Sequence, residues 1–543
     1  MKVQLVSNTV SQVFNKLPQL LDELVPAAGW ALAHADLGQV GQFLMAGSDA
    51  DLAVLLLDVD YFMDVYPDAD AWARLDELEQ QIRHFRSLCP TRLLLSNLVL
   101  PPFALHFHQV DLDAARCTVM EMNERLARMA AAMPDLAILD VCGVALEMGS
   151  QAFYRAKNKF VFQSPYSPAA IARISALIAE RALQFAQPRI KVCVLDADNT
   201  LWGGVLGEEG PDGIKVDKNY PGIVHEIFQR QLLALKASGV LLALVTKNNA
   251  ADIDELFATR AMPLALADFA IVKANWARKS GSIAEIAQEL NLGLSSFLFI
   301  DDSQFELDEV ALTLPEVRCL RFDPNSFLSG QGVLATQPLL QALRVTGEDL
   351  ARSAQYRAEQ SRQAARTGFG SMDEYIGSLD IAVTCSLNQQ AHLARITQLV
   401  NKTNQFNLTC ERLSETEVRD LMRRGHVFDF HVRDKFGDMG IVGVLILLDG
   451  QIRNFLLSCR VLGRKVEDKI LAMVCRHPAA AGPHGALTAL YKPAAKNAQV
   501  ETLYERLGFA HTATLADGAM LYRLQRAPDD PGFIRLTHAA PAA

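Results

Sequence analysis

Two aspartates end an apolar segment in the sequence VLDADNTLWGG at residues 194–204. Asp196 and Asp198 are two residues apart, and the apolar run before them predicts a buried strand that ends on carboxylates. One carboxylate can attack phosphorus and carry a covalent aspartyl-phosphate. The other can protonate a leaving oxygen and later deprotonate water. These residue types suit phosphoryl transfer, although the polar end of an ordinary strand would look the same in isolation.

Three further polar positions follow predicted strands in the same region. Thr246 ends the apolar run LLALVT, Lys279 begins a predicted helix in NWARKSGSI, and Asp301 and Asp302 end the run FLFIDD. The carboxyl ends of parallel strands meet at one edge of a sheet, where ligands bind. A hydroxyl and an ammonium can hold phosphoryl oxygens, and clustered carboxylates can hold Mg²⁺. Four such pieces in this order favour a magnesium-dependent phosphoryl site over four unrelated strand ends.

The spacing between these pieces bounds what can cover the site. About 50 residues separate Asp196 from Thr246, and about 33 separate Thr246 from Lys279. The predicted helices use most of both intervals, so little chain is left for a lid domain. We therefore expect a site that is open to water and to large substrates.

Strands that alternate with helices must position these residues. Such alternation predicts parallel sheets with helices on both faces, whereas the later part of the chain is predicted as antiparallel strands joined by glycine turns. Polar helical sequence between these parts is predicted to connect them. The predicted segments are an α/β domain at 1–188, a doubly wound α/β domain at 189–330, a helical connector at 331–376, an α+β domain at 377–527 and a flexible tail at 528–543.

Composition narrows the class of protein. The chain has 543 residues and a net charge of −10 without a long basic run, which argues against nucleic acid as a partner. Since no apolar stretch reaches about 18 residues, we expect no membrane span. The first residues lack the pattern of a signal peptide, and nine scattered cysteines suit a reducing cytoplasm rather than disulfides or a structural zinc site.

The central motifs resemble those of the haloacid dehalogenase (HAD) superfamily, and the wording LDADNTLWGGVLGEEG with NWARKS resembles its FkbH-like branch, the subfamily IIIC phosphatases. The resemblance implies a capless HAD-like fold that binds Mg²⁺. It implies the following roles: Asp196 as nucleophile and metal ligand, Asp198 as general acid/base and ligand through its backbone carbonyl, Thr246 and Lys279 as phosphate-binding residues, and Asp301 and Asp302 as further metal ligands.

Two departures qualify this resemblance. The family usually reads Asp-Asp-Asn-Pro-x-Glu-Arg in its fourth motif, but this chain reads DDSQFEL, which puts the turn after the metal ligands in doubt. Members that load glyceryl groups can carry a cysteine between the two aspartates of the first motif, where this chain has Ala197. Cys193 is near in sequence, but on a strand its side chain is expected to point to the opposite face from Asp196.

The segments LVNKTNQFNLT, DKFGDMGIVG, SCRVLGRKVE and KNAQVETLYERLGF resemble the C-terminal part of FkbH-like proteins, which looks like the GNAT acyltransferase fold. A helix N-terminus after RVLGR could hold the pyrophosphate of coenzyme A or the phosphate of a carrier protein's phosphopantetheine arm. A scaffold that binds acyl thioesters without catalysis is an equal alternative. The candidate residues are Arg460, Gly463, Arg464, Asn497 and Tyr504, with Cys459 as a candidate acyl-carrying thiol or a packed small residue.

The N-terminal segments LVSN and LLLSNLVLPP resemble SGNH hydrolases, an esterase family with a flavodoxin-like fold. That resemblance implies Ser7 as nucleophile and Asn97 as an oxyanion donor. The expected late Asp-x-x-His is missing, because no histidine of this domain follows residue 108. We therefore favour an inactive SGNH-like module that serves in docking.

The whole chain is thus identified as a member of the FkbH-like group. Some members remove phosphate from a three-carbon acyl donor, 1,3-bisphosphoglycerate, and pass the glyceryl group to an acyl carrier protein in polyketide biosynthesis. The resemblance makes phosphoryl transfer coupled to loading or processing of such an acyl unit the leading hypothesis. A stand-alone magnesium-dependent phosphatase and a non-catalytic protein that docks a synthase are the alternatives.

Overall fold

The structure, a computed structural model, divides into two compact units, Met1–Leu350 and Ala351–Ala543. The first unit contains two separate sheets and the second contains one. Most of the connector expected at 331–376 lies outside the described residues. The structure describes residues 1–24, 30–63, 69–101, 112–133, 135–187, 189–328, 332, 334, 337–341, 358, 362, 365–366, 369–481, 485–494 and 497–539.

A parallel five-stranded sheet in the order β2-β1-β3-β4-β5 forms the N-terminal part of the first unit. Its central strands are apolar runs buried on both faces, as expected for a parallel sheet covered by helices. The strands are β1 (Lys2–Ser7), β2 (Ala31–His34), β3 (Leu52–Leu56), β4 (Arg92–Ser96) and β5 (Leu136–Leu139). The helices are α1 (Leu17–Leu24), α2 (Val40–Ala46), α3 (Ala69–Leu88), α4 (Leu112–Ala132), α5 (Val141–Met148), α6 (Ser150–Phe153), α7 (Ala156–Phe162) and α8 (Pro168–Ala186).

The second sheet of the first unit is also parallel and has the order β10-β9-β6-β7-β8. Its strands are β6 (Val192–Leu195), β7 (Leu241–Thr246), β8 (Phe269–Ala274), β9 (Phe297–Asp301) and β10 (Arg318–Arg321). Its helices are α9 (Leu206–Gly213), α10 (Gly222–Ala237), α11 (Ala250–Thr259), α12 (Lys279–Leu290), α13 (Gln304–Thr313) and α14 (Pro324–Leu328). Because β6 is central, the residues that follow it lie in the middle of the carboxyl edge.

The chain between these strands forms only short connections. Residues 189–328 are described without a gap, and the segments between β6 and β8 contain α9, α10 and α11 but no inserted domain. The expectation of an α/β fold with parallel sheets is confirmed. In the described part of the chain, no helix is long and apolar enough to cross a membrane.

The second unit is built on an eight-stranded, mostly antiparallel sheet in the order β16-β17-β15-β14-β13-β12-β11-β18. The strands are β11 (Ala382–Leu387), β12 (His426–Asp434), β13 (Gly437–Leu448), β14 (Gln451–Leu457), β15 (Thr488–Tyr491), β16 (Phe509–Thr514), β17 (Met520–Leu524) and β18 (Arg535–His538). The helices are α15 (Met372–Ser378), α16 (Leu393–Lys402), α17 (Glu415–Arg424), α18 (Val466–Cys475) and α19 (Leu503–Arg506).

Strands β14 and β15 run parallel and are joined by two residue pairs: Gln451 pairs with Thr488, and Ile452 pairs with Ala489. Beyond these pairs the segment around Asn407 lies beside β14. Leu408 N–H donates to the Phe455 carbonyl at 3.0 Å, and Lys492 N–H donates to the Leu408 carbonyl at 2.8 Å. This segment therefore supplies hydrogen bonds that the diverging strands do not exchange with each other.

The C-terminal end differs from the flexible tail expected at 528–543. Strand β18 pairs in parallel with β11, and the Arg535 N–H donates to the Ile381 carbonyl at 3.0 Å. Ile534, just before the strand, is 1% exposed and packs in the core of the unit. The buried side chain and the open edge of β11 explain why this polar sequence is ordered.

Candidate active site

Three predicted residues form one buried ionic cluster at the carboxyl edge of the second sheet. The Lys279 ammonium Nζ lies 2.6 Å from Asp196 Oδ1 and 2.6 Å from Asp301 Oδ2. All three residues are buried, with 4%, 5% and 0% of their surface exposed for Lys279, Asp196 and Asp301. The three arrive from β6, β9 and the first turn of α12, so the order of the strands brings them together.

Burial sets the electrostatics of this cluster. Burial raises the pKa of Asp196 to about 7, opposed by the Lys279 ammonium and reinforced by the Asp301 carboxylate. The pKa of Asp302 is also raised, chiefly by burial and then by Asp301. Burial alone would lower the pKa of Lys279, but the two carboxylates outweigh it and the pKa is raised. One lysine therefore does not offset the negative charge of the site.

The donor set fits a magnesium ion. Oxygen atoms of Asp196, Asp301 and Asp302 lie within 4.8 Å of one another. Mg²⁺ prefers carboxylate oxygens and would offset the charge that Lys279 leaves uncompensated. The predicted ligand residues therefore converge on a position where such an ion can be bound.

Asp198 is fixed by three donors. Its Oδ1 accepts hydrogen bonds from Trp202 Nε1 and from the Leu206 N–H, both at 3.0 Å. Its Oδ2 accepts one from the Asn248 side-chain amide at 2.9 Å. Buried Trp202 and the tight turn after β6 thus hold this carboxylate in one orientation.

Asn248 is a site residue that our reading of the sequence missed. Its amide nitrogen lies 2.9 Å from both Asp198 Oδ2 and Thr246 Oγ1, and it is buried. Since the Thr246 oxygen accepts this bond, its own hydrogen is left to donate to a phosphoryl oxygen. The usable signal was its place two residues after Thr246 at the end of β7.

The unusual turn after Asp302 leaves the carboxylate geometry intact. The Ser303 N–H donates to Asp301 Oδ1 at 2.8 Å. Glu306 is mostly buried, and its Oε1 lies 2.5 Å from the Lys247 ammonium, directly after Thr246. The turn and the first residues of α13 therefore stabilise the neighbouring motifs.

Ala197 and Cys193 both belong to the hydrophobic core beneath the site. Each is fully buried, and burial strongly raises the pKa of the Cys193 thiol. A buried thiol of raised pKa is a poor nucleophile at neutral pH. Neither position supplies a thiolate to the ionic cluster.

In the second unit, three of the predicted binding residues lie in the loop before α18. Gly463 has a φ of 73°, the left-handed conformation that favours glycine. Apart from its chain neighbours, no described residue has an atom within 4 Å of the place where a side chain would begin. Arg464 is mostly buried, and Arg460 donates to the Met439 carbonyl at 3.4 Å. The structure thus brings Arg460, Gly463 and Arg464 together in one turn.

Asn497 and Tyr504 lie in the interior of this unit. Asn497 Nδ2 donates to the Asn407 and Lys492 carbonyls at 2.9 and 3.0 Å. Burial raises the pKa of the Tyr504 hydroxyl, which has no hydrogen-bond partner among the described residues. Cys459 begins a short 3₁₀ helix, Cys459–Val461, and its side chain lies outside the described part of the structure.

A histidine–aspartate pair in the second unit was also missed. His392 Nδ1 lies 3.0 and 3.1 Å from the two carboxylate oxygens of Asp429, which is fully buried on β12. Burial raises the pKa of Asp429, and the hydrogen bond from His392 opposes this effect. The pair joins residues 37 positions apart, so no local pattern reveals it.

Ser7 and Asn97, the residues that the SGNH resemblance implies for catalysis, are hydrogen-bonded to backbone groups and to an aspartate. Ser7 Oγ donates to the Leu56 carbonyl at 2.6 Å and accepts from the Thr9 N–H at 3.0 Å. Asn97 binds the Asp140 carboxylate and the Cys142 N–H. Among the described residues, no histidine is hydrogen-bonded to Ser7; His34 contacts Ser11 instead.

Comparison with known proteins gives one likeness that bears on the fold. The N-terminal part of protein BF1531 from Bacteroides fragilis, which contains a phosphatase domain complexed with Mg, superposes with a TM-score of 0.55 at 24% sequence identity, over 63% of this chain and 94% of that one. An aminoglycoside acetyltransferase AAC(6')-Ib in complex with coenzyme A covers 26% of this chain at 16% identity and a TM-score of 0.20. No protein-family model and no curated protein matches the chain.

Proposed function

We propose that this protein is a magnesium-dependent phosphatase of the HAD type that acts through an aspartyl-phosphate on Asp196. The observation that carries the proposal is the buried cluster in which Lys279 bridges Asp196 and Asp301 at 2.6 Å, with Asp302 beside them. The likeness in fold to a phosphatase domain complexed with Mg supports it.

In the first step, an oxygen of Asp196 attacks phosphorus while the bond between phosphorus and the leaving oxygen breaks. Asp198, protonated at the start, gives its proton to that oxygen. Asn248 keeps Asp198 Oδ2 oriented, and the Thr246 hydroxyl and the Lys279 ammonium bind phosphoryl oxygens. These positively polarised donors favour the charge that shifts onto the phosphoryl oxygens.

In the second step, the Asp198 carboxylate takes a proton from water, and the water oxygen attacks the phosphorus of the aspartyl-phosphate. The bond to Asp196 breaks, which releases inorganic phosphate and restores both carboxyl groups to their starting states. Asp196, Asp301 and Asp302, with the Asp198 backbone carbonyl, would hold Mg²⁺, which supplies electrostatic stabilisation of the transferring phosphoryl group.

The substrate and partner follow from the sequence resemblance and are proposed on that basis. As an FkbH-like protein, the chain would act on a phosphorylated acyl unit, such as a phosphoglyceryl group, and deliver or process it on an acyl carrier protein in polyketide biosynthesis. The lack of an inserted domain within residues 189–328 suits a large, carrier-bound substrate. The turn of Arg460, Gly463 and Arg464 before α18 would then receive the phosphopantetheine arm.

Among these roles, hydrolysis has more support than glyceryl transfer through a thiol at the phosphoryl site. Transfer of that kind needs a thiolate near Asp196. Of the two positions considered for it in the sequence, 197 holds an alanine and the Cys193 thiol is buried in the core. A non-catalytic docking protein has less support, because it has no use for a buried cluster of carboxylates and a lysine.

The test is hydrolysis of p-nitrophenyl phosphate. We expect turnover with Mg²⁺, loss of turnover with EDTA, and a fall of about a thousandfold or more in Asp196→Asn. Asp254→Asn, which changes an exposed aspartate on α11, is the control and keeps activity. Equal activity of the wild type and Asp196→Asn, or full activity in EDTA, would refute the proposal.

The carrier role has a separate test. A carrier protein bearing its phosphopantetheine arm is incubated with the enzyme, Mg²⁺ and 1,3-bisphosphoglycerate, and its intact mass is measured. A gain of one glyceryl group supports loading, and a carrier of unchanged mass leaves only the phosphatase role.

A further inference from the structure

A cavity of about 470 Å³ in the first unit is lined in part by the residues next in sequence to Thr246 and Lys279. It lies between the residue after β7, the residue before α12 and one side of α13. Six of its lining residues are Lys247, Arg278, Phe305, Glu306, Glu309 and Leu312.

This cavity adjoins the phosphoryl site through neighbouring residues of the chain. Lys247 directly follows Thr246, and Arg278 directly precedes Lys279. Ser280, one residue after Lys279, donates to Glu309 in the cavity wall at 2.5 Å. A substrate whose phosphoryl group lies against Thr246 and Lys279 would therefore extend its leaving group toward this cavity.

The charged side chains of the cavity wall differ in whether they have hydrogen-bond or ion-pair partners. Glu306 is paired with Lys247 at 2.5 Å, and both oxygens of Glu309 accept hydrogen bonds from Ser280. The Arg278 side chain is exposed and, in the described part of the chain, makes no hydrogen bond or ion pair. Among the described lining residues, Arg278 is thus the cation without a carboxylate partner, and a guanidinium binds carboxylate and phosphate oxygens through two parallel hydrogen bonds.

Large exposed apolar side chains lie in the cavity wall and close to Arg278 in the sequence. Phe305 and Leu312 in the cavity wall are 74% and 85% exposed, and Trp276, two residues before Arg278, is 71% exposed. Trp276 Nε1 donates to Asn249 Oδ1 at 3.3 Å, and this bond orients the indole at the edge of the sheet. An exposed group of apolar side chains beside a reactive centre is typical of a binding surface.

We propose that this cavity is the subsite for the leaving group, and that Arg278 selects phosphate esters whose leaving group carries a second oxyanion on an apolar chain or ring. The apolar part lies against Phe305, Leu312 and Trp276, and the oxyanion binds the Arg278 guanidinium. The inference rests on the proposed phosphatase function. The oxyanion can be a carboxylate or a second phosphate, and the experiment distinguishes the two.

The test measures the binding of three non-hydrolysable compounds by calorimetry with Mg²⁺: benzylphosphonate, its 4-carboxy derivative, and the bisphosphonate with a second phosphonomethyl group in the 4 position. We expect the wild type to bind at least one doubly anionic compound about tenfold more tightly than benzylphosphonate. The compound with the larger gain in affinity shows whether the second oxyanion is a carboxylate or a phosphate. Arg278→Gln should abolish this preference, and Arg278→Lys should retain part of it, because a lysine keeps the charge but not the paired donors.

The control variant is Arg128→Gln, which removes an exposed arginine from α4 and should keep the preference. Equal affinity of the wild type for all three compounds, or a preference that survives Arg278→Gln, would overturn the subsite. Hydrolysis of unsubstituted phenyl phosphate decides the phosphatase function separately, since that substrate has no second anion. If the enzyme hydrolyses phenyl phosphate but binds all three compounds equally, the subsite is disproved and the phosphatase function is kept.

Discussion

At the scale of residues, the site depends on how its oxygen atoms share donors. Lys279 donates hydrogen bonds to Asp196 and Asp301, whereas Asn248 donates to Asp198 and Thr246. Each of these two donors thus couples groups that arrive from different strands or turns. Removing a donor of this kind leaves its acceptors free to turn away from the phosphoryl group.

Asn248 provides a sharp test of this arrangement. We expect Asn248→Leu, which keeps the side-chain size but removes the amide, to lower kcat about tenfold to a hundredfold with little change in KM, because Asp198 loses its orientation as acid and base. Steady-state hydrolysis of p-nitrophenyl phosphate gives both constants. Asn325→Leu, at an exposed asparagine of α14, is the control. A rise in KM without a change in kcat would show that Asn248 acts in substrate binding instead.

Residue types and strand order were enough to predict that Asp196, Lys279 and Asp301 would meet at one edge of the sheet. They were not enough to predict the partners of Asp198. Trp202 and Asn248 contact Asp198 only because of the turn after β6 and the exact end of β7, which a pattern of apolar residues does not define. The partners of Asn497 depend likewise on the packing of distant segments.

At the scale of elements, β18 shows how a short polar segment becomes ordered. The strand RLTH lies in a C-terminal stretch rich in proline, alanine and polar residues, which we interpreted from the sequence as a flexible tail. Its order comes from the edge of β11 and from buried Ile534, both of which depend on tertiary structure. Strands β3, β7 and β9 could be predicted because almost all of their residues are apolar, as expected for strands buried on both faces.

Two substitutions at one position separate the contributions to β18. Arg535→Ala removes an exposed ion pair with Asp380 and should lower the free energy of unfolding of the second unit by about 0.5 kcal/mol or less. Arg535→Pro also removes the N–H that binds the Ile381 carbonyl and should cost about 1–3 kcal/mol.

Thermal unfolding measures both variants, and hydrogen exchange of the β11 amides shows where stability is lost. Equal effects of alanine and proline at position 535 would mean that the β18 hydrogen bonds add nothing to the stability of the second unit.

At the scale of the whole molecule, the six residues proposed for phosphoryl transfer all lie in the first unit, and so do the hydrogen bonds described for them. The second unit holds its own core around β12, β13 and β14. The sequence predicted three folded segments, and the structure joins the first two in one unit. One link is the hydrogen bond from Arg318 on β10 to the side-chain oxygen of Gln187, directly after α8.

This division predicts that phosphatase activity does not need the second unit. We expect a protein of residues 1–341 to hydrolyse p-nitrophenyl phosphate with kcat/KM within about threefold of the full chain, because the reacting groups and their partners are retained. Circular dichroism checks its folding. A folded but inactive fragment would show that the second unit contributes to the reaction.

The short connections between β6 and β8 also bear on timing. Enzymes that enclose their substrates under a mobile lid often turn over at the rate at which the lid opens. Within residues 189–328 this chain has no inserted domain to serve as one. The proposed turnover therefore contains no step in which a domain inserted within residues 189–328 opens or closes.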